Sequence, residues 1–430
     1  MIEALVGLAA LLALAFLRVP IAFAMLMTGF AGMAWVGSMR GALANVGQTA
    51  FDAAISYELS VVPLFVLMGN FVARAKLAEE LYDASNAFLG HRKGGLAMAT
   101  VVACGGFSAI CGSSLATAAT MAKVAMPSMR RYGYDDGLAS GSIAAGGTLG
   151  ILIPPSVVLV IYGILTQTSI GKLFAAGVVP GVVAVLFYLA AVRYTTWRRP
   201  EAGPAGERMD GAARIAALRR VWGVLMLFAL VMGGIYGGVF SPTEAAGIGA
   251  AGAFFFAIQR KALTLRSLFD ILLESATTTA MLFTVLIGAL VFANFINLTD
   301  FPPALLELAG QFRETPWVVI LAILAIYVAL GTVFESMSMV LLTVPIFFPL
   351  VMELGYDPVW FGIIVVVVTE ISLITPPVGL NVFVLRGVLP DVRTGTIFRG
   401  VTPFWVADLF RLAILVGLPW LTLWLPAYVK

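Results

Sequence analysis

Of 430 residues, 61% are hydrophobic and 11% are charged, against about 25% charged in an average soluble domain, which excludes water as the main solvent of this chain. A net charge of +3 over that length offers no basic field for a nucleic acid, and the basic residues gather at the ends of apolar runs, where they set topology. Runs of about 20 apolar residues, the length that crosses a bilayer, follow one another from Ile2 to Tyr428 and leave no room for a separate soluble domain.

The first run, Ile2 to Leu17, has a leader's length but no basic start, and it ends at Arg18-Val19-Pro20 rather than at a small-residue cleavage site. It reads as a first span. Spans near 20–38 and 58–73 follow, then a polar amphipathic stretch from Ala75 to Lys93 that holds the single histidine, His91. The block at about 95–127 is too long for one helix and rich in Gly and Ser at its middle, which predicts a re-entrant hairpin. Its two cysteines, Cys104 and Cys111, lie seven residues apart, a spacing that suits free packing thiols on one helix face. An interrupted span at about 136–165 and a final span near 173–192 complete residues 1–192.

The linker at 193–219 and the Arg220 that bounds it carry seven arginines against Glu201, Glu207 and Asp210, so the positive-inside rule places it in the cytoplasm. Beyond it, residues 220–430 read as spans near 220–240, 242–258 and 268–298, an amphipathic stretch at 300–315, a second hairpin at about 317–352, an interrupted span at about 358–389 and a final span near 402–427. Counting crossings places Arg74, Lys76, Arg130, Arg131, Arg260, Lys261, Arg393 and Arg399 inside. Arg40, Lys172, Arg313 and both termini fall outside.

Residues Pro127, Gly133, Tyr134, Asp135, Pro154 and Pro155 recur as Pro349, Gly355, Tyr356, Asp357, Pro376 and Pro377 at one offset of 222 (349 − 127). Ser114 maps onto Ser336 and Pro20 onto Pro242, and Gly-Val-x-Pro at 177–180 returns at 400–403 after one inserted residue. The first Gly-Tyr turn follows Arg130-Arg131 and reads as inside; the second follows Glu353 and reads as outside. The fold expected is therefore an all-α polytopic membrane protein of two inverted repeats, each with three spans, a hairpin, an interrupted span and a final span, as in secondary transporters.

Helical pattern breaks in four places at membrane depth: Ile110 to Thr117, Gly146 to Ser156, Gly331 to Ser338, and Glu370 to Pro377. Proline removes a backbone donor and frees a carbonyl one turn earlier, and unwound backbone at that depth must line a cavity or hold a ligand. Freed carbonyls with Ser and Thr hydroxyls form a nearly neutral oxygen cage, suited to sodium rather than to a transition metal. The candidate cation ligands are Gly112, Ser113, Ser114, Thr117, Gly147, Thr148, Gly150 and Pro154 in the first half. Their counterparts in the second are Gly331, Thr332, Glu335, Ser336, Ser338, Thr369, Thr375 and Pro376. Helix N-termini at the same breaks offer N–H groups to an anion, with Ser113, Ser156, Ser336 and Asn381 as candidate substrate contacts. Two cation sites flanking one substrate are expected. The plainer reading is that these small residues let helices pack closely.

Charged residues within spans are functional candidates. Glu335, at the second hairpin tip, suits a cation ligand, a proton-linked carboxylate or a gate. Glu370 suits either the same site or an ion pair, and Asn381 either substrate or a helix–helix hydrogen bond. Lys123 and Arg386 read as snorkelling side chains. Glu58, Glu244, Asp270 and Glu274 read as interfacial.

The stretches Phe107 to Ser114, Gly147 to Ser156, and Leu342 to Pro349 leading to Ile374 to Asn381 resemble the large membrane subunit of tripartite ATP-independent periplasmic (TRAP) transporters, and the likeness runs along essentially the whole chain. The resemblance implies a bacterial inner-membrane, sodium-coupled importer with an elevator mechanism: hairpins and interrupted helices move against a scaffold of long tilted spans. It also implies a small four-helix membrane subunit, a periplasmic binding protein, and an organic acid substrate such as a C4-dicarboxylate, a keto acid or a sialic acid. Apart from sodium as coupling ion, no cofactor is called for.

The alternative is a stand-alone ion-coupled organic anion transporter that needs neither partner. A more remote alternative is an intramembrane enzyme. Gly106-Phe107-Ser108-Ala109 looks superficially like the serine loop of a rhomboid-type protease, but such a nucleophile needs a histidine base, and His91 lies outside the spans. No HExxH motif or nucleotide-binding Gly-rich loop is present. A transporter that is not an enzyme is the reading that remains.

Overall fold

A computed structural model describes residues 1–429, and every regular element among them is helical. Helices α1 (Ile2–Phe16) and α2 (Ile21–Val36) open the chain, parted where Pro20 leaves its carbonyl to start the second. The sequence reading leaves 39–57 without an element, yet α3 (Met39–Ile55) forms there, with the Ser38 hydroxyl accepting from Gly41 N–H. Arg40, Asn45, Gln48 and Asp52 hide this helix from any search for apolar runs. It bends by 61° into the segment that contains α4 (Val61–Arg74).

The amphipathic stretch becomes α5 (Leu77–Leu89). The first long block becomes two helices, α6 (Gly95–Cys111) and α7 (Ser114–Arg131), that pack against each other. The interrupted span becomes α8 (Asp136–Thr148) and α9 (Val157–Thr166), followed by α10 (Ile170–Arg198). Cys104 and Cys111 are both free and buried on α6.

The arginine-rich linker is docked rather than loose. Gly94 N–H donates to Gly203 O at 2.8 Å, Asp135 N–H to Ala202 O at 3.0 Å and Gly206 N–H to Gly90 O at 2.8 Å. Its second part is helical, α11 (Gly211–Arg220), capped by Asp210 and laid against α5, where Arg214 Nε donates to Ala87 O at 3.1 Å.

The second half runs α12 (Trp222–Tyr236), α13 (Pro242–Gln259), α14 (Leu265–Asn297), α15 (Phe301–Gly310), α16 (Pro316–Leu330), α17 (Ser336–Glu353), α18 (Pro358–Ser372), α19 (Leu380–Val388) and α20 (Thr394–Gly417). The helix that follows each hairpin tip starts 222 residues from its counterpart (336 − 114), as does the helix that follows each Gly-Tyr turn (358 − 136). Equivalence fails at α14, which is one 33-residue helix where the first half has the bent α3–α4 pair. At about 1.5 Å per residue it is roughly 50 Å long, so it can cross a hydrocarbon core of about 30 Å only at a tilt.

Four helices, α10, α14, α17 and α20, are long and apolar enough to cross a bilayer unaided, and the bent pairs α3–α4 and α11–α12 raise the number to six. The remaining apolar helices have 10–17 residues: α6 and α16 are hairpin arms, α9 and α18 are halves of broken helices, and α1 and α2 are the expected spans near 2–17 and 20–38.

Packing separates an outer set from an inner one. On the outside α2 lies along α14, and α13 along α4. Inside, α8 packs on α6, α7 and α20, while α18 packs on α10, α16, α17 and α20. Both broken helices are buried around nearly their whole circumference: Gly137–Thr148 in α8 and Val359–Ser372 in α18. Helices without a solvated or lipid-facing side belong at the centre. That placement sets the first break deep in the molecule, while the second is buried as far as Thr375 and reaches the surface at Pro376-Pro377.

Candidate functional site

The first hairpin turns on two residues. Gly112 sits in the left-handed region at φ +64°, and Ser113 is extended, its hydroxyl capping α7 by accepting from Ala116 N–H at 3.4 Å. Thr117 Oγ1 donates back to Ser113 O at 2.8 Å, and Ser114 is the buried first residue of α7. Opposite this tip, α8 ends at Thr148, tightens into a turn over Leu149–Ile151, and breaks at Pro154-Pro155. Ser156 caps α9: its hydroxyl donates to Ile151 O at 2.5 Å and accepts from Leu159 N–H at 3.3 Å. Among the described residues, nothing donates a hydrogen bond to the carbonyls of Leu152, Ile153, Pro154 or Pro155.

Tip and break touch backbone to backbone. A Cβ on Gly150 would lie 2.6 Å from Ser113 C and O, and one on Gly112 would lie 2.9 Å from Pro155 O. Gly147 is similarly close to α7, its Cβ position 2.7 Å from Ala118 Cβ.

In the second half, α16 gives way at Gly331, and Glu335 caps α17. Its carboxylate accepts from Met337 N–H at 3.1 Å, Ser338 N–H at 2.7 Å and the Ser338 hydroxyl at 2.8 Å, beside the buried Ser336. Thr332 Oγ1 donates to Ala329 O at 2.7 Å. The opposing break runs from Leu373 to Gly379 through Pro376-Pro377. There Thr375 Oγ1 donates to Ile371 O at 2.6 Å and accepts from Trp405 Nε1 at 2.9 Å. The carbonyls of Ile374 to Val378 likewise accept no hydrogen bond among the described residues. Gly331 lies against Ser372 too closely for a side chain, so this tip also meets its break.

The two units are exchanged across the molecule: α7 of the first hairpin packs on α19 beyond the second break, and α17 of the second packs on α9 beyond the first. Asn381 makes the helix–helix bond left open above, its Nδ2 donating to Ala144 O at 3.0 Å, while its buried Oδ1 has no partner. The Thr369 hydroxyl is spent within its helix, on Val365 O at 2.7 Å, while that of Thr148 reaches either Ala145 O at 2.8 Å or Tyr188 Oη at 3.1 Å. A cavity of about 680 Å³ lined by Tyr57, Glu58, Gln167, Ser169 and Ser241 lies elsewhere, and no candidate ligand borders it.

The ion-pair reading of Glu370 is the one realised, with a partner that sequence reasoning passed over. Arg411 Nη2 donates to Glu370 Oε2 at 2.7 Å and stands 3.0 Å from Asp408 Oδ1. All three side chains are fully buried. Tyr188 Oη donates to Asp408 Oδ2 at 2.8 Å and lies 3.1 Å from Thr148 Oγ1. The signal was present: an Asp and an Arg three residues apart share one face of a span, and intramembrane charges come in pairs.

Away from the core, Arg130 at the base of the first hairpin pairs with Asp391 and, at 3.2 Å, with Asp136. The main-chain N–H of Asp391 and then the Arg130 guanidinium hold that carboxyl below its usual range. Arg386 closes the same loop, its Nη1 donating to Val392 O at 2.8 Å, whereas Lys123 is exposed.

Residues 8–421 match the family described as "Tripartite ATP-independent periplasmic transporter, DctM component". The chain is 38% identical over 381 residues to the C4-dicarboxylate TRAP transporter large permease protein DctM of Pseudomonas aeruginosa, 88% of each chain being covered. It is 31% identical over 417 residues to the sialic acid TRAP transporter large permease protein SiaM of Vibrio cholerae, with 96% of each covered. Among solved structures, the Alcanivorax borkumensis YdaH transporter matches with TM-score 0.59 and 17% identity over 90% of each chain, a likeness of fold. With buried broken helices, apolar hairpins and relatives that are permeases along their whole length, this chain is a multi-pass membrane protein and belongs to the DctM family of TRAP transporter large permease subunits, which are not enzymes.

Proposed function

We propose that the chain is the transport subunit of a sodium-coupled organic acid importer in the bacterial inner membrane, with both termini periplasmic. In this reading the halves 1–192 and 220–430 are inverted repeats. Each hairpin tip and its opposing break hold one sodium ion between them, and the substrate lies between the two sites. The observation that carries this is that tip and break meet in both halves, where runs of main-chain carbonyls lack hydrogen-bond partners, buried almost throughout at the first break and opening to the surface at Pro376-Pro377 of the second. A buried oxygen left unpaired costs about 1–3 kcal/mol unless something binds it; a dehydrated monovalent cation meets that need at the first break, and a cation that keeps some water meets it at the second.

The working ligand set is main-chain oxygen around Gly112, Gly150, Pro154, Gly331 and Pro376, with the hydroxyls of Ser113, Ser114, Thr117, Ser336, Ser338 and Thr375 and the carboxylate of Glu335 at the rim. Ser156 and Asn381, each at the start of a helix beyond a break, face the substrate together with Ser113 and Ser336. Buried helices carrying both sites move as an elevator against the outer frame of α2, α4, α13 and α14. A small four-helix membrane subunit and a periplasmic binding protein complete the assembly that the family name calls tripartite. The relatives' names point to C4-dicarboxylates or sialic acids, and the class they share is the organic acid.

Uptake into proteoliposomes under an imposed sodium or proton gradient, with and without binding protein, tests this. Uptake should require both the sodium gradient and the binding protein. Sodium-independent uptake would remove the two-cation proposal, and uptake without binding protein would favour the stand-alone transporter. Ser113→Ala and Ser336→Ala should each raise the half-saturating sodium concentration by roughly threefold to tenfold, the equivalent of about 0.7–1.4 kcal/mol for one lost oxygen contact. An unchanged sodium response in both would remove the assignment.

A further inference from the structure

Thr148, the last residue of α8, and Glu370, two residues before the end of α18, occupy the same place in the two halves (370 − 148 = 222). Tyr188 and Arg411 also correspond, once the inserted residue is counted (411 − 188 = 223). The same pair of positions is therefore joined twice. With Tyr188 donating to Asp408, the neutral link is Thr148 Oγ1 turning its one proton from Ala145 O at 2.8 Å to Tyr188 Oη at 3.1 Å, and a charged link of 2.7 Å joins Arg411 and Glu370. Asp408 has no acidic counterpart, since Val185 stands at its place in the first half (408 − 223 = 185). Its two oxygens tie the copies together, accepting from Tyr188 Oη at 2.8 Å and facing Arg411 Nη2 at 3.0 Å.

An unbroken chain of five fully buried side chains thus runs from the edge of one break to the edge of the other. We propose that Asp408 is a positioning residue that couples the two breaks, so that an ion at one hairpin tip raises the affinity for an ion at the other. The proposal rests on the two-cation reading above. Its physical basis is that no water stands ready at this depth to replace a lost partner, and hydrogen bonds in a low-dielectric network strengthen one another. A shift of either helix end must therefore either break a link or carry the other end with it. The tie between Asn381 and Ala144 differs in kind, because it reaches a main-chain carbonyl inside α8 rather than its end.

Tyr188→Phe cuts the chain at one hydroxyl. It alters no charge and keeps the ring set edge-on to Phe404, with centroids 5.6 Å apart. Asp408→Asn is the second variant, leaving Arg411 balanced by Glu370. Both are compared with the parent chain in proteoliposomes carrying the small subunit and binding protein, with uptake measured against sodium concentration. The parent should show a sigmoidal curve. In each variant the Hill coefficient should fall toward about 1, with the rate at saturating sodium kept within about twofold, since the coupling is lost and the sites are not. A purely structural role would lower the maximal rate and leave the Hill coefficient where it was. An unchanged coefficient in both variants, or a hyperbolic curve in the parent, would overturn the proposal while sparing the sodium reading. A parent that ignores sodium would overturn the sodium reading and this proposal with it.

Discussion

Arg411→Met should destabilise the folded chain by about 3–5 kcal/mol, because it strands Glu370 and Asp408, two fully buried carboxylates, without a counter-charge. Met keeps most of the volume, so the loss is electrostatic rather than a cavity effect. The guanidinium is the only cation in the cluster, a single nitrogen serving both acids. Glu370→Gln should be milder, about 1–3 kcal/mol, since Asp408 and Arg411 remain to neutralise each other. Denaturant unfolding in lipid bicelles, together with the yield of chain recovered from membranes, measures the difference. Equal stabilities for Arg411→Met and Glu370→Gln would mean that the cluster is not held by charge balance.

Gly150→Ala should abolish most transport while leaving a chain that still inserts. The added methyl would sit 2.6 Å from the carbonyl carbon and oxygen of Ser113 and 2.7 Å from Ser114 N. These atoms are main chain and cannot rotate away. Hairpin and break must separate by several tenths of an ångström, which costs about 1–3 kcal/mol in overpacking and shifts the oxygens proposed to bind sodium. Sodium-driven uptake normalised to protein in the vesicle should fall roughly tenfold or more, since a misplacement of about 1 Å at a working site can cost a hundredfold. Gly395→Ala, where a Cβ would meet nothing within 4 Å, is the matched control and should transport normally. Normal uptake by Gly150→Ala would separate the tip contact from function.

The helix breaks and the recurrence of helix starts at an offset of 222 were legible because each is written in residues with strong local meaning. Gly112 and Gly331 mark the turns, and the paired prolines forbid helix where the structure has none. Helix α3 was illegible for the opposite reason: its polar residues contradict an apolar-run criterion, and a Ser cap alone does not announce a helix. At the proposed site, sequence singled out segments that the fold brings together, but not the contacts of their individual atoms. The Thr369 hydroxyl bonds within its own helix, that of Thr148 is shared between Ala145 O and Tyr188, and Glu335 spends its carboxylate on a helix cap. Such assignments depend on which neighbour lies nearest in space. The chain of Tyr188, Asp408 and Arg411 depends on tertiary contact still more, since its members come from two helices about 220 residues apart.

Arg131 ends α7 and Glu353 ends α17, both exposed and 222 residues apart, so they mark the same point in the two halves. With Cys104 and Cys111 replaced by alanine, Arg131→Cys and Glu353→Cys can be labelled separately in intact cells with a thiol reagent that does not cross the inner membrane. Antiparallel halves predict that the cysteine at 353 reacts from the periplasm, while the one at 131 reacts only after the membrane is opened. Labelling of both from one side would contradict the inverted plan, and with it the paired ion sites and the elevator.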